Sequence, residues 1–180
     1  MKPLPFPYPI NIGTDIVHLP RIAALLTRRD ESLTRFTGRI LCTQEQDDFR
    51  RRFHKLFTPQ PPNIKPPTIQ KPDVQPPVIE PATSCAPPIS AEMTRWLAGR
   101  FAAKEAARKA APEGAASIGW KDVMVRVQER TPGNTKQPSD SRRPEIVYLG
   151  DEERGIPARI GQLSISHDGE YVVATVLAAG

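Results

Sequence analysis

The sequence predicts an α+β domain in which an antiparallel sheet packs on one long helix. An apolar segment over residues 10–17 has the composition of a short early strand, although Gly13 interrupts it. Residues 90–111 are rich in alanine, lysine and glutamate, which favour a helix. Several short apolar segments follow this helix, and Asp168-Gly169 between the last two is a dipeptide typical of hairpin turns.

Two further helices are expected between the early strand and the long helix. Pro20 suits the first turn of a helix, and apolar residues then recur at helical spacing at positions 22, 25 and 26. The other helix is expected over residues 43–57, where Thr43 is the predicted cap and Gln46 completes a capping box.

The long helix and the strands after it have recognisable ends. Ser90 suits an N-cap, and Pro112 and Gly114 stop the helix. Alternating valines predict a strand over residues 122–129. The other strands are expected over residues 145–149, 162–168 and 171–177.

Residues 59–88 differ from the rest of the chain because eleven of them are proline. Proline removes a backbone donor and is excluded from helix interiors, so this segment is expected to be an extended insertion. The predicted organisation is an N-terminal extension over 1–9 and a single domain over 10–180, interrupted by the insertion at 58–89. The insertion is either a loop without a partner, which is favoured, or a ligand of SH3 or WW domains.

The composition fits one basic domain. The 180 residues carry a formal net charge of +5, which favours an anionic partner. Cys42 and Cys85 form no disulfide framework, so a reducing compartment is the default. No apolar run approaches the roughly 20 residues that span a bilayer. The first nine residues resemble neither a secretory signal nor a transit peptide.

Two carboxylates stand in unusual sequence contexts. Asp15 ends an apolar strand, where a carboxylate is costly unless it is exposed, paired or metal-bound. It is therefore either a ligand or the cap of the next helix. Glu105 lies within an alanine-rich stretch of the long helix. It is either simply solvated, paired with Lys109 at i+4, or part of a site.

Cationic side chains surround the second carboxylate. Arg100 and Lys104 share one face of the helix, and Lys109 shares the neighbouring face with Glu105. Carboxylates that hold a cation and basic side chains that hold phosphates would together suit a polyanionic ligand. His167 lies beside the hairpin turn, where a lone histidine is usually a structural hydrogen-bonding residue. The sequence has no P-loop, dinucleotide fingerprint, zinc-ligand spacing or nucleophile elbow.

Three clusters in this order resemble the holo-acyl-carrier-protein synthase family, the small type of 4′-phosphopantetheinyl transferase. Gly-Thr-Asp-Ile-Val at 13–17 is similar to its opening strand, and Arg-Phe-Ala-Ala-Lys-Glu-Ala at 100–106 to its central helix. Leu-Ser-Ile-Ser-His-Asp at 163–168 is similar to its terminal strand pair. The resemblance covers about residues 10–57 and 90–178.

The resemblance implies a 4′-phosphopantetheinyl transferase-like fold and an activity. The activity is transfer of phosphopantetheine from coenzyme A to a serine of an apo-acyl-carrier protein, with release of 3′,5′-ADP, in support of fatty acid biosynthesis. The serine comes from the partner, which agrees with the absence of a nucleophile motif. The basic charge then serves one anionic co-substrate and one acidic protein.

The resemblance also implies roles for individual residues. Asp15 and Glu105 would bind Mg²⁺, and Glu105 would also be a candidate general base, directly or through a metal-bound water. Lys104 would either stabilise the leaving phosphate or shape the site. Arg21 and Arg28 would face the acidic carrier protein. The coenzyme A site would be lined by Arg100, Phe101, Lys109, Arg143, Pro144 and His167.

Assembly and compartment follow from the same resemblance. Short members of the family are homotrimers with active sites between subunits, and they bind neither nucleic acid nor membrane. A eukaryotic member would serve the mitochondrial carrier protein, so the mitochondrial matrix is expected, with the cytoplasm as the alternative. Two rival functions stay open: a proline-rich adaptor without catalytic activity, and a nucleic-acid-binding domain suggested by the net charge.

Overall fold

The computed structural model describes residues 7–57, 89–127 and 143–180 and folds them into one antiparallel sheet with a long helix across one face. The elements are β1 (Ile10–His18), α1 (Leu19–Thr27), α2 (Ser32–Ile40), α3 (Thr43–Phe57), α4 (Ala91–Lys109), β2 (Val123–Val127), β3 (Pro144–Tyr148), β4 (Arg159–Asp168) and β5 (Tyr171–Ala179). The sheet order is β1-β5-β4-β3-β2, and a short 3-10 helix precedes β2. The predicted α+β fold is confirmed.

Most predicted elements are confirmed with small shifts at their ends. The Ser90 hydroxyl accepts a hydrogen bond from the Met93 amide at 3.0 Å and so caps α4. Gly169 has a positive φ of 52°, as the predicted hairpin turn requires. The insertion predicted at 58–89 lies outside the described residues except for its last position, and the extension at 1–9 lies outside except for residues 7–9.

The region before α3 differs from the sequence prediction. Helix α2 was not predicted, because Thr34, Thr37 and Gly38 are poor helix formers within only nine residues. The capping box of α3 is also displaced by one residue from the predicted Thr43. The side chain of Glu45 accepts a hydrogen bond from the Cys42 amide at 3.1 Å, so a buried carboxylate caps this helix end.

The core lies where α4 crosses the sheet, and small side chains hold the two close together. Six alanines of α4 and its C-terminal end are fully buried, at positions 98, 102, 103, 106, 107 and 110. A Cβ atom at Gly13 of β1 would lie only 2.0 Å from the carbonyl oxygen of Ala106. Glycine at position 13 therefore sets the distance between β1 and α4.

Substitution of this glycine is expected to destabilise the protein strongly. Gly13→Ala forces β1 away from the α4 backbone, with an expected cost of about 3 kcal/mol, the upper end for overpacked sites. Gly38→Ala is the matched control, because nothing lies within 4 Å of a Cβ atom there. Because Gly38 lies inside α2, alanine there should raise the free energy of unfolding by about 0.5–1 kcal/mol. Urea unfolding measures the stability of both variants. Equal stabilities would contradict the close approach of β1 to α4 at Gly13.

The opposite face of the sheet carries a group of apolar side chains on β1 and β5, among them the exposed Ile12 and Ile16. Ile12 and Ile16 on β1 are 65% and 61% exposed, and they lie across from Leu177 and Val173 on β5. These four residues form what we call the outer apolar face. Alternation places them on the side away from α4, since Gly13 and Val17 are buried beneath the helix.

Candidate active site

Strand β1 brings Asp15 to the last turn of α4. The side chain is on the helix-facing side of the strand and is 17% exposed. Lys109 Nζ lies 2.8 Å from Asp15 Oδ1 and donates a second hydrogen bond to the Thr14 carbonyl at 2.9 Å. Asp15 does not cap α1, because His18 occupies the N-cap and makes no side-chain capping bond. Asp15 is therefore tied to α4.

Glu105 lies one helical turn before Lys109 and is 21% exposed. Its Oε1 pairs with Arg108 Nη1 at 2.9 Å rather than with Lys109. Arg108 also donates to the carbonyl oxygens of Ile118 and Ala115, each at 2.8 Å. Arg108 thus holds Glu105 against the loop that follows α4. No sequence motif indicated this positioning role of Arg108.

Each of these carboxylates keeps one oxygen available. Among the described residues, Asp15 Oδ2 and Glu105 Oε2 have no hydrogen-bond or ion-pair partner. The same residues contain no group of three or more His, Cys, Asp or Glu side chains that could hold a metal. Two carboxylates combined with the phosphates of a substrate are a typical Mg²⁺ environment, so the donor set fits that ion.

Lys104 is completely buried, with 0% exposure. Its Nζ donates to the carbonyl oxygens of Trp120 and Val123 at 2.9 and 2.6 Å and forms an ion pair with Glu45. Burial lowers the pKa of this lysine, and the negative charge of Glu45 opposes the shift. All three ammonium donors are engaged. Of the two roles that the resemblance implied, this environment favours shaping the site over contact with a leaving phosphate.

Arg100 lies one turn before Lys104 and contacts α3. Its Nη2 donates to Asp48 Oδ2 at 3.2 Å, and the guanidinium lies 3.3 Å from the Trp96 ring centroid. Burial lowers the pKa of Arg100 to about 10, so the side chain is charged at neutral pH. Its buried Nε has no hydrogen-bond partner within the part of the chain that the structure describes, although Glu45 Oε1 lies 4.0 Å away.

Two other predicted ligand-binding residues lie near α4. Phe101 stacks on Phe36 and Trp120, with centroid distances of 6.0 and 4.8 Å, and packs against the core. His167 on β4 lies over the helix, because a Cβ atom at Gly99 would be 3.9 Å from its Nε2. Partial desolvation against the helix and the positive charge of Arg95 lower the pKa of His167, although much of its side chain is exposed.

The remaining predicted residues are not brought to Asp15. Arg143 is exposed, and Pro144 begins β3, three strands from β1. At about 4.8 Å per strand this separation is about 14 Å. Arg21 and Arg28 are exposed on α1 and at its C-cap, and neither has an ion-pair partner among the described residues.

Comparisons with known proteins establish the family of the chain and agree with its fold. A family profile described as the 4′-phosphopantetheinyl transferase superfamily matches residues 11–176. The chain belongs to this superfamily. It is 55% identical to 4′-phosphopantetheinyl transferase B, mitochondrial, of Aspergillus fumigatus, over the full length of both chains. It is 30% identical to the holo-[acyl-carrier-protein] synthase of Shouchella clausii, covering 93% of this chain and 96% of that protein.

A solved structure extends the comparison to the fold. The holo-(acyl-carrier-protein) synthase of Bacillus anthracis, in complex with CoA (3′,5′-ADP), matches with a TM-score of 0.52 and 25% identity. The match covers 94% of this chain and 96% of that one. The predicted family, its fold and the transferase class are therefore confirmed, and catalysis is favoured over the adaptor alternative. No helix among the described residues is long and apolar enough to cross a membrane.

Proposed function

We propose that this phosphopantetheinyl transferase moves 4′-phosphopantetheine from coenzyme A to a serine of an apo-acyl-carrier protein and releases 3′,5′-ADP. The main support is one contact: β1 delivers Asp15 to Lys109 in the last turn of α4, one helical turn after Glu105. Asp15 Oδ1 and Lys109 Nζ are 2.8 Å apart although 94 residues separate them in sequence. An acid pair beside a lysine suits a diphosphate bound with a divalent cation.

Asp15 and Glu105 are proposed to hold Mg²⁺ through the oxygens that have no protein partner. The ion, when bound, would neutralise charge on the diphosphate of coenzyme A. Lys109, whose side chain is about half exposed, is proposed to contact the phosphates from the same side. Arg100, Phe101 and His167 are proposed to bind the rest of the co-substrate.

Transfer requires a proton acceptor for the serine and charge stabilisation for the leaving group. We assign the proton to the Glu105 carboxylate, which Arg108 holds in place through Oε1. Attack on the phosphorus nearest pantetheine breaks the bond to the bridging oxygen, and the leaving 3′,5′-ADP carries that oxygen away. Lys109 stabilises the negative charge that develops there.

The carrier protein is proposed to dock on α1. Arg21 and Arg28 are exposed and seven positions apart, so they share a face of the helix and its end. Because neither has an internal ion-pair partner among the described residues, both are available to an acidic protein. This partner and coenzyme A account for the +5 charge without nucleic acid.

The active assembly is proposed to be a homotrimer whose subunits meet through the outer apolar face. Exposed isoleucines on a sheet are unfavourable in water, so the face needs a cover, and copies of this chain supply one. Arg143 and Pro144 lie far from Asp15 within one chain. In a trimer, a neighbouring subunit would bring its own copies of these residues to the site.

A charge on this face is expected to separate the subunits. Ile16→Asp places a carboxylate within the outer apolar face and should give particles with the mass of a single chain in light scattering. Ile156→Asp is the control, because Ile156 is 48% exposed in the loop after β3, away from this face. Activity should fall with Ile16→Asp if subunits share the site. A wild-type monomer, or an intact Ile16→Asp trimer, would contradict the proposal.

The mitochondrial matrix is the proposed compartment, in support of fatty acid biosynthesis. The Aspergillus fumigatus relative carries "mitochondrial" in its name and matches the full chain. The test is microscopy of the tagged full-length chain in a fungal cell. Cytoplasmic fluorescence would favour the alternative.

The proposed reaction has a direct test. Apo-acyl-carrier protein incubated with the chain, coenzyme A and Mg²⁺ should gain the mass of one phosphopantetheine group by mass spectrometry. A carrier protein whose acceptor serine is replaced by alanine is the matched control. No mass gain on several carriers, with folded and correctly assembled protein, would reject the function.

A further inference from the structure

We propose that Glu45 is a positioning residue for the transfer reaction, acting through Lys104 on the active-site turn of α4. The inference rests on the proposed function, because it concerns the alignment of Glu105 with Asp15. Glu45 lies on α3 and would not touch the substrate. Its role would be to fix the rotation of α4 about its own axis.

Glu45 is a buried carboxylate shared by three structural elements. It is 2% exposed and accepts hydrogen bonds from the Cys42 amide at 3.1 Å and the Val125 amide at 3.0 Å. It also forms the ion pair with Lys104 from α4. One side chain therefore joins the start of α3, strand β2 and α4. A buried charge with this number of partners is usually fixed in a single orientation.

Lys104 transmits this constraint to α4. Its ammonium group donates to the carbonyl oxygens of Trp120 and Val123 as well as to Glu45. Three acceptors from two other parts of the chain leave the side chain one position, and the helix cannot rotate without breaking one of these bonds. Glu105 is the next residue along the helix, so its direction is set by the same rotation.

A second constraint acts on the opposite side of α4. There, Gly13 of β1 touches the backbone of the helix at Ala106, which fixes the distance between helix and strand. Gly13 thus sets the distance between β1 and α4, and Lys104 sets the rotation of α4 about its axis. Together the two settings fix the position of Glu105 relative to Asp15, which the proposed shared cation site depends on.

A role in stability alone predicts different behaviour. If the Glu45 cluster only stabilised the fold, the folded fraction of a variant would bind metal and turn over like the wild type. A positioning residue changes the folded enzyme itself. Loss of a supporting partner around a metal site typically costs about 10–100-fold in metal affinity or activity.

The experiment compares Glu45→Gln with Glu92→Gln. Each substitution removes a carboxylate whose ion pair joins α3 to α4. The pair between Glu92 and Arg52, however, is exposed. Calorimetry first gives the melting temperature of each variant, and all assays are run well below the lowest one. The two readouts are kcat with saturating coenzyme A, carrier protein and Mg²⁺, and the Kd for Mn²⁺ with coenzyme A by electron paramagnetic resonance.

For Glu45→Gln we expect kcat to fall about 10–100-fold and the Mn²⁺ Kd to rise about tenfold, with Glu92→Gln close to wild type. If Glu45→Gln does not fold, the same two readouts on Glu45→Asp test the inference, because aspartate keeps the charge but is one methylene too short to reach all the partners of Glu45. We expect Glu45→Asp to lose less turnover and less Mn²⁺ affinity than Glu45→Gln. Wild-type kcat and Mn²⁺ affinity in a folded Glu45 variant would overturn the inference. An inactive wild type would instead reject the proposed function.

Discussion

Asp15→Asn should lower turnover by about 10²–10³-fold while leaving the fold intact. The substitution keeps the shape of the side chain but removes the charge that we assign to cation binding. Loss of one electrostatic contribution to a developing charge commonly has an effect of this size. Glu105→Gln should have at least the same effect, since it removes a metal ligand and the assigned proton acceptor together.

Stability is expected to change little in Asp15→Asn. The ion pair between Asp15 and Lys109 involves a lysine that is about half exposed, so its loss should cost at most about 1 kcal/mol. Circular dichroism melting checks this. The rate is measured as holo-carrier protein formed per minute over a series of Mg²⁺ concentrations.

Asp47→Asn is the matched control for this series. Asp47 lies on α3 with its charge paired to Arg50 at 2.8 Å on the exposed surface. The control should keep the wild-type rate and the wild-type Mg²⁺ dependence. Near-normal turnover in Asp15→Asn would remove Asp15 from the proposed metal site, whereas a reduced rate in the control would point to a general effect of lost charge.

Elements with strong local signals could be predicted from the sequence. Helix α4 has helix-favouring residues and a serine cap, and the β4–β5 hairpin has its Asp168-Gly169 turn. Helix α2 could not be predicted in this way, since threonines and a glycine give it weak propensity. Its stability comes from burial of Leu33 and Ile40 against the core, which appears only in the folded chain.

The residues of the candidate site likewise differ in how far the local sequence indicates them. Asp15 and Glu105 were selected from the sequence because a carboxylate in an apolar strand and an acid among alanines are unusual, and the resemblance implied a role for both. Glu45 was missed, because its partners are remote: the Val125 amide lies 80 residues away. Local spacing contains no information on such a contact. A shifted helix cap was its only local signal.

Lys104→Met should destabilise the protein by about 3–5 kcal/mol, the largest stability effect that we expect from a side chain in this chain. Methionine fills a similar volume, but the buried Glu45 carboxylate then loses its nearest cation and keeps only Arg100, whose Nε lies 4.0 Å from Glu45 Oε1. Breaking a buried ion pair is much more costly than losing a surface pair. The carbonyl oxygens of Trp120 and Val123 also lose their donor.

Two further variants separate the charge from the packing. Arg52→Met removes the cation of the exposed pair with Glu92 and should cost at most about 1 kcal/mol by urea unfolding. The double variant Glu45→Gln with Lys104→Met removes both charges of this ion pair and should recover most of the lost stability, since neutral replacements of a buried pair are often tolerated. A double variant as unstable as Lys104→Met would mean that the lost hydrogen bonds, rather than the unpaired charge, dominate the cost. A Lys104→Met protein of wild-type stability would contradict the buried ion pair itself, and with it the constraint on α4.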